Sequence, residues 1–395
     1  MSSITLRRAT DDDFGAIVDF DGAIFGELWA AEDLDLLRPT LELDRFVLAH
    51  DGDDLVGVSG NYSLELTVPG PNVLSVAGVT WIAVSPTHRR QGLLTRLISE
   101  LHADADAHDE PLAILTASEG AIYRRFGYGI ASQCRVIEID RRRTEVLPEF
   151  RPNPGDVRFA DARNDHVLEQ IAALFDRIRV SRNGDIDRPA ANWRLSRHHR
   201  GEGARWAVHA DGFACWKVKA KWNNGHPAHE MELYDLIAAT PEAHAALWHT
   251  VLSVDLVAKI TSFRGAAIDD QLAHIITDPR ALRTVELNDM LWVHVRDARA
   301  ALEARCYGTD DSLVVDVDGT RWKIDGSPDG AVVKPAKRKP DLVMDGAALG
   351  SIYLGGFRPS ELVRGRRIEA RDAAVLRRAD HFFAADQMPH ATSGF

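Results

Sequence analysis

Val79-Thr80-Trp81-Ile82-Ala83-Val84-Ser85-Pro86-Thr87-His88-Arg89-Arg90-Gln91-Gly92-Leu93-Leu94 decides how this chain is read. An apolar strand runs to Val84 and stops at Ser85-Pro86. A short basic loop follows, with one glycine, Gly92. Leu93, Leu94, Leu97, Ile98 and Leu101 then recur at helical spacing. A helix N-terminus entered through a glycine and flanked by arginines presents backbone N–H groups to a pyrophosphate. That predicts a phosphate-bearing cofactor. The strand in front narrows it to coenzyme A: the Ile82-Ala83-Val84 backbone edge can pair with the amides of a pantetheine arm as a sheet strand would.

Working outward, the first section reads as mixed α/β. Ile4–Arg8 is a strand, and Asp11-Asp12-Asp13 caps a helix carrying Phe14, Ile17 and Val18. Strands follow at Arg45–His50, Leu55–Ser59, Tyr62–Val68 and Val73–Val84. After the Gly92 helix come a buried strand Leu112–Ala117, a short helix near Ala121–Phe126 and a strand Ser132–Asp140. Arg141–Asp156, rich in Arg, Pro and Glu, reads as a linker. A second section then repeats the order, with Val157-Arg158-Phe159-Ala160 resembling Leu6-Arg7-Arg8-Ala9. Its strands are Arg205–His209, Gly212–Lys219, His229–Ala238 and Ala258–Phe263, and its helix is Pro241–Val251. The helix entry there, Ala239-Thr240-Pro241-Glu242-Ala243, has no glycine and carries an acid, so it would repel pyrophosphate. The section reads as a duplicate without a cofactor site. A third section starts near Leu291, with strands at Ser312–Val317, Thr320–Ile324 and Gly330–Val333, then three helices.

The 395 residues exceed one hydrophobic core. The expected division is 1–145, 146–290 and 291–395. A net charge of −12 disfavours nucleic acid and anionic membrane as partners and would gather cations. Cys134, Cys215 and Cys306 lie far apart, with no metal-ligand spacing, so no metal is expected. The start of the chain lacks an apolar signal core, and no run is long enough to span a bilayer. A cytoplasmic enzyme is expected.

Ser118-Glu119-Gly120-Ala121-Ile122-Tyr123-Arg124-Arg125-Phe126-Gly127-Tyr128 follows the strand after the helix. Acyl transfer from a thioester needs an acid for the departing thiolate. A tyrosine phenol, with an ordinary pKa of about 10, suits a thiol. Tyr123 is the candidate and Tyr128 the runner-up, with packing beside Gly127 the alternative for Tyr128. No cysteine belongs to this cluster, so direct attack by an amine is favoured over an acyl-cysteine. His88 reads as shaping the loop.

These residues resemble a known family. Arg89-Arg90-Gln91-Gly92-Leu93-Leu94 is similar to the acyl-CoA signature of the GCN5-related N-acetyltransferases, with Leu94 where that signature has Gly or Ala. Together with Ala301–Tyr307 and Leu349–Gly356, the chain resembles the Eis (enhanced intracellular survival) family over nearly its whole length. The resemblance implies an α/β (α+β) architecture of tandem GCN5-related N-acetyltransferase folds, the second degenerate. The resemblance further implies a sterol-carrier-protein-like C-terminal domain and a homohexameric assembly. It implies acetyl-CoA as cosubstrate and acetyl transfer to amines of aminoglycosides or lysine. Cofactor contacts carry over to Ile82, Ala83, Val84, Arg90, Gln91, Gly92, Leu93, Leu94, Thr95, Ser118 and Glu119. Phe25 and Glu27 stand where the family lines its amine pocket; core packing and a solvated charge are their alternatives. The resemblance makes the free carboxylate of Phe395 the general base, whereas the residues alone suggest a frayed tail. Gly394 replaces an acidic residue found in some members. An apolar-ligand or lipid carrier built on the third section, and a noncatalytic CoA-binding protein, are the competing readings.

Overall fold

The computed structural model describes residues 4–26, 28–70 and 72–395. By contacts the chain forms two units. One comprises Met1–Ser132, Leu291–Asp386 and Gly394–Phe395; the other comprises Gln133–Met290 and Gln387–Ser393.

The first unit opens with β1 (Thr5–Arg8) and α1 (Phe14–Phe25). The Asp-rich entry works as expected: Asp13 Oδ2 accepts the Thr10 N–H at 2.8 Å. Gly26 ends α1 with a left-handed φ of 75°. A short α2 (Leu34–Leu37) precedes β2 (Phe46–Asp51), β3 (Asp54–Val68) and β4 (Asn72–Val84). The two strands expected at Leu55–Ser59 and Tyr62–Val68 are one. Gly60 and Asn61 keep the pairing with β4, and the Asn61 amide, a poor strand former, donates to Leu101 O and Asp104 Oδ2 at 2.9 Å. Next come α3 (Leu93–Ala107), β5 (Leu112–Thr116), α4 (Gly120–Tyr123) and β6 (Gly129–Ile130). Leu93, Leu97, Ile98, Leu101 and Ala105 form the buried stripe of α3 against the sheet.

The second unit contains β7 (Gln133–Asp140), β8 (Arg158–Ala160), α5 (Asp165–Arg179), α6 (Ala190–Arg200), β9 (Arg205–His209) and β10 (Gly212–Lys219). A two-residue hairpin pair, β11 (Trp222–Asn223) and β12 (His226–Pro227), leads to β13 (His229–Ala238). It closes with α7 (Pro241–Leu252), β14 (Val257–Ser262), α8 (Leu272–Ile275) and β15 (Leu282–Asp289). The segment expected to be a linker packs here instead: Val146 is fully buried and bridges to Ile276.

The chain returns to the first unit with β16 (Leu291–Val295) and α9 (Ala298–Ala304). A five-stranded sheet follows, made of β17 (Asp311–Val317), β18 (Thr320–Ser327), β19 (Gly330–Pro335), β20 (Leu342–Met344) and, after α10 (Gly346–Tyr353) and α11 (Pro359–Arg364), β21 (Ile368–Ala370). The last helix is α12 (Ala373–Phe382). Helix α10 lies against β6 and β16 at close range. A Cβ on Gly129 would stand 1.8 Å from Ala347 O, so only glycine fits.

Two strands join sheets that chain order alone would not give them. The first sheet runs β1-β2-β3-β4-β5-β16-β6, and the second runs β15-β7-β14-β13-β10-β9-β8. β7, read with the first section, belongs to the second sheet. β16, read as the start of the third section, lies between β5 and β6. Alternation predicts a strand but not its neighbours, which long-range pairing selects.

Candidate active site

The site is built around a fork. β4 and β5 run parallel but pair only at Ala77↔Ala113 and Gly78↔Ile114. Beyond Gly78, β4 continues to Val84 on its antiparallel pairing with β3, while β5 stays paired with β16 along its other edge, from Leu112↔Val295 to Thr116↔Leu291. Past the vertex, the β4 edge that faces β5 is therefore open to a peptide-like partner.

A bulge sharpens the fork. Gly60 pairs with Thr80 and Val58 with Ala83, so Trp81 and Ile82 oppose Ser59 alone. Trp81 takes a left-handed φ of 51°, and its indole N–H donates to Tyr62 OH at 2.7 Å. This strained residue was not recognisable from sequence, where Trp81 passes for an ordinary strand position.

The loop behaves as its residues predict. Gly92 caps α3 with φ 79°, and nothing lies within 4 Å of where its Cβ would stand. Arg90 also adopts a left-handed φ, 61°, which the sequence does not signal. The α3 N-terminus has no side-chain cap and no acid in its first turn. The N–H groups of Leu93, Leu94 and Thr95 are thus left by the helix geometry without internal partners. Arg89, Arg90 and Gln91 are exposed around them. His88 is tied on both ring nitrogens, Nδ1 to Thr87 Oγ1 at 2.8 Å and Nε2 to Asp51 at 3.3 Å, consistent with shaping the loop. This cradle fits a pyrophosphate, and the open edge of β4 fits the amide-bearing arm behind it.

Tyr123 ends α4 and is buried in the apolar cluster that also holds Val79 and Leu93, with Ile82, Val84 and Leu94 packed on its margin. Burial pushes its phenol pKa up, partly offset by a hydrogen bond with Ser118 and reinforced by the Glu119 charge. The phenol stays protonated through neutral pH. Ser118 and Glu119 are exposed at the end of β5. Tyr128 is fully buried, its hydroxyl 3.0 Å from His102 Nε2, and it packs edge-on to Tyr123. It is a packing residue.

Phe395 is half-buried and is not frayed. Its ring carbon Cε2 stands 3.1 Å from the Cβ position of Gly78, at the vertex of the fork. The structure gathers Ile82, Val84, Leu93, Leu94 and Tyr123 in one cluster with Ala77 and Val79, and it sets Phe395 against Gly78 at the vertex, on the sheet face opposite that cluster. Phe25 is 47% exposed at the end of α1, which rules out core packing for it. Glu27 lies outside the described residues. Among those residues no His, Cys, Asp and Glu group could hold a metal.

The second unit has the same strand–helix arrangement with different chemistry. β13 and β14 are parallel from His229↔Val257 to Leu233↔Ser262. Thr240 Oγ1 accepts the Ala243 N–H at 3.1 Å, and Glu242 occupies the first turn of α7. That helix start is already capped and carries a negative charge.

Two acetyltransferase (GNAT) domain models match residues 5–131 and 184–302, and a sterol carrier protein domain model matches 298–392. N-acetyltransferase Eis of Mycobacterium tuberculosis (strain ATCC 25177 / H37Ra) is 33% identical over 97% of this chain and 98% of its own. The chain belongs to the Eis family of N-acetyltransferases. The crystal structure of Eis1 from Mycobacterium abscessus superposes with a TM-score of 0.89 at 32% identity, covering both chains fully. A GCN5-related N-acetyltransferase from Anabaena variabilis, 18% identical with a TM-score of 0.85 and full coverage of both chains, shares the fold. The protein is an acetyl-CoA-dependent N-acetyltransferase with two GNAT folds followed by a sterol-carrier-like domain, as the Eis resemblance implied. No described helix is long and apolar enough to cross a membrane.

Proposed function

We propose that this Eis-family enzyme acetylates primary amines of cationic small molecules, aminoglycosides among them, or of lysine, by direct attack within a ternary complex. The observation that carries the reading is the Phe395 ring packed on Gly78 at the vertex of the β4–β5 fork. A chain end held there brings its α-carboxylate into the cleft, where it can take a proton from an incoming ammonium, directly or through water. An α-carboxylate is a weak base at its ordinary pKa of about 3.5, and desolvation raises it. The N–H groups of Leu93, Leu94 and Thr95, with Arg90, Gln91 and Gly92, hold the pyrophosphate. Ile82, Ala83 and Val84 align the arm, with Ser118 and Glu119 at the far side. Acetyl-CoA supplies the activated acyl group. Tyr123, kept protonated by burial, donates its proton to the departing thiolate. Phe25 and Glu27 are the residues that recognise the amine, and the chain's negative charge draws cations toward the enzyme.

The chemistry belongs to segment 1–145. Segment 146–290 carries the capped, acid-bearing helix start and binds no cofactor, and segment 291–395 supplies the chain end. The assembly is a hexamer in the cytoplasm. Because Gly394 adds no charge beside Phe395, amine selectivity rests on the terminal carboxylate and Glu27.

Thiol release from acetyl-CoA, measured with aminoglycosides, lysine, lysine peptides and aliphatic amines, tests the substrate class; hydrolysis without acceptor dependence would refute it. Tyr123→Phe should bind acetyl-CoA normally and lose ~10²–10⁴ in kcat; near-normal kcat removes Tyr123 from the acid role. A one-residue C-terminal extension should lower kcat to a similar degree, and full activity would exclude the carboxylate.

A further inference from the structure

The second unit encloses a cavity of about 260 Å³ at the carboxyl ends of β13 and β14. One wall is the strand end Leu233–Ala238. Another is the start of α7 at Thr240 and Pro241, and a third is the segment Gln387–His390. This is the topological counterpart of the cofactor fork, with a capped helix start and different polar groups around it.

Those groups are mostly acceptors. Asp270 Oδ1 accepts the Leu272 N–H at 2.9 Å, and its Oδ2 stands 3.2 Å from His244 Nε2. Asp269 at the rim accepts the Met388 N–H at 2.9 Å. Arg182 lines the cavity too, but its guanidinium is matched by Asp185 at 3.1 Å. Asp270 is paired with His244 and Arg182 also bears on His390, yet the lining holds two carboxylates, Asp269 and Asp270, to one guanidinium. His390 is only 7% exposed and lines the same space, and its Nδ1 has no hydrogen-bond partner. Burial pushes its pKa down to about 3, so the ring is neutral. A buried, unmatched ring nitrogen costs free energy unless something in the cavity pairs with it. Beside two carboxylates, the fitting partner is a donor with positive charge.

We propose that this cavity is a second ligand site that takes a small primary-amine cation, its ammonium facing Asp270 and an N–H directed to His390 Nδ1. Leu233, Trp248 and Met388 cover its methylene carbons. The volume is just below the range for drug-sized ligands, which suits a short aliphatic diamine. The bound amine clasps the strap Gln387–His390, whose continuation is already fixed where Asp185 accepts the Thr392 N–H and hydroxyl at 2.8 and 2.7 Å.

Hydrogen–deuterium exchange on the full-length protein, titrated with 1,4-diaminobutane and separately with inorganic phosphate, tests this. The expected result is saturable protection of peptides covering 262–272 and 387–391 by the diamine and none by phosphate. Local readout separates this site from amine binding at the acetyltransfer cleft, so it stands or falls apart from the proposed substrate. Asp270→Asn should weaken the diamine about tenfold, the loss of one charged hydrogen bond. Since Asp270 also accepts the Leu272 N–H at the start of α8, His390→Leu is the second variant and should weaken it about three- to tenfold with thermal unfolding unchanged. No saturable protection, protection by phosphate instead, or protection unaltered in both variants would overturn the proposal.

Discussion

Replacing Gly78 with alanine would set a methyl group 2.5 Å from Leu64 Cδ1, 3.1 Å from Leu64 Cγ and 3.1 Å from Phe395 Cε2. The Leu64 methyl end can swing aside, but its Cγ is held by β3, and the Phe395 ring must move by a few tenths of an ångström. The backbone at Gly78 is extended in a regular ladder, so alanine gains up to about 1 kcal/mol through the unfolded chain. Overpacking in a full core costs about 1–3 kcal/mol, so the net change is destabilising or near zero. Activity should respond more than stability. Moving the chain end from the vertex should lower kcat about 10- to 100-fold, or about 1.4–2.8 kcal/mol of barrier. Phe395→Ala removes the ring and keeps the terminal carboxylate, so it relieves the added contact. In a double-mutant cycle the two changes should be non-additive by about 1 kcal/mol in kcat, with Gly78→Ala/Phe395→Ala better than the sum predicts. Urea unfolding and acceptor-dependent thiol release supply the two readouts. Additivity within about 0.5 kcal/mol in both would mean that the ring does not rest on Gly78, and the chain end would lose its place in the fork.

Arg45 is buried with both of its acidic partners, Asp104 and Glu110, each at 2.7 Å. Arg45→Ala should cost about 3–5 kcal/mol by taking the cation from buried Glu110 and leaving buried Asp104 to Arg8 and Asn61, and Arg45→Met with Asp104→Asn and Glu110→Gln should recover much of it; urea unfolding compares them. Burial tends to raise the Asp104 pKa, but hydrogen bonds from Asn61 and Arg45 outweigh it and hold the group below its ordinary value. Its contribution is therefore present above an unfolded pKa of about 3.9 and is lost as pH falls below that toward the folded value. His102 and His294 contact each other and Tyr128, and burial pushes their pKa values down to about 4 and about 3. The unfolded chain binds these protons first, so stability should be complete above pH of about 6.5 and fall below it. The slope should be on the order of 1.4 kcal/mol per pH unit for each histidine. His102→Phe should flatten that slope between pH 6.5 and 4; an unchanged slope would show that the pair is not buried neutral.

Much of the site was legible locally. The Ser85-Pro86 stop, the glycine before an amphipathic run and the acids of Asp11-Asp12-Asp13 each act through neighbours in sequence, so their roles can be read from spacing. The three strands and three helices expected in the third section fall where alternation and helical period predict, because those periods report which face is buried, whereas the short elements α9, β20 and β21 carry too few residues to show a period. Two left-handed residues, Trp81 and Arg90, are not legible in the sequence because the side chain gives no sign of a backbone φ imposed by a bulge or a loop. The linker expected at Arg141–Asp156 failed for a related reason: its charged composition hides Val146, one apolar residue whose burial ties the segment down.

By itself, the sequence determined that a strand, a basic glycine loop and a helix meet near Gly92 with an uncapped helix start. It also determined that the second copy opens on Thr240-Pro241-Glu242 with a capped, acid-bearing one. These are local properties of helix ends, set by which backbone N–H groups are free and what charge stands beside them. Only the tertiary structure decided that β7 and β16 join sheets other than those suggested by chain order, that β4 and β5 part after Gly78, and that Phe395 rests at that vertex. Each of these is a pairing between residues far apart in the chain, chosen by which packing buries most surface with its hydrogen bonds satisfied, and no periodicity in the sequence encodes that choice.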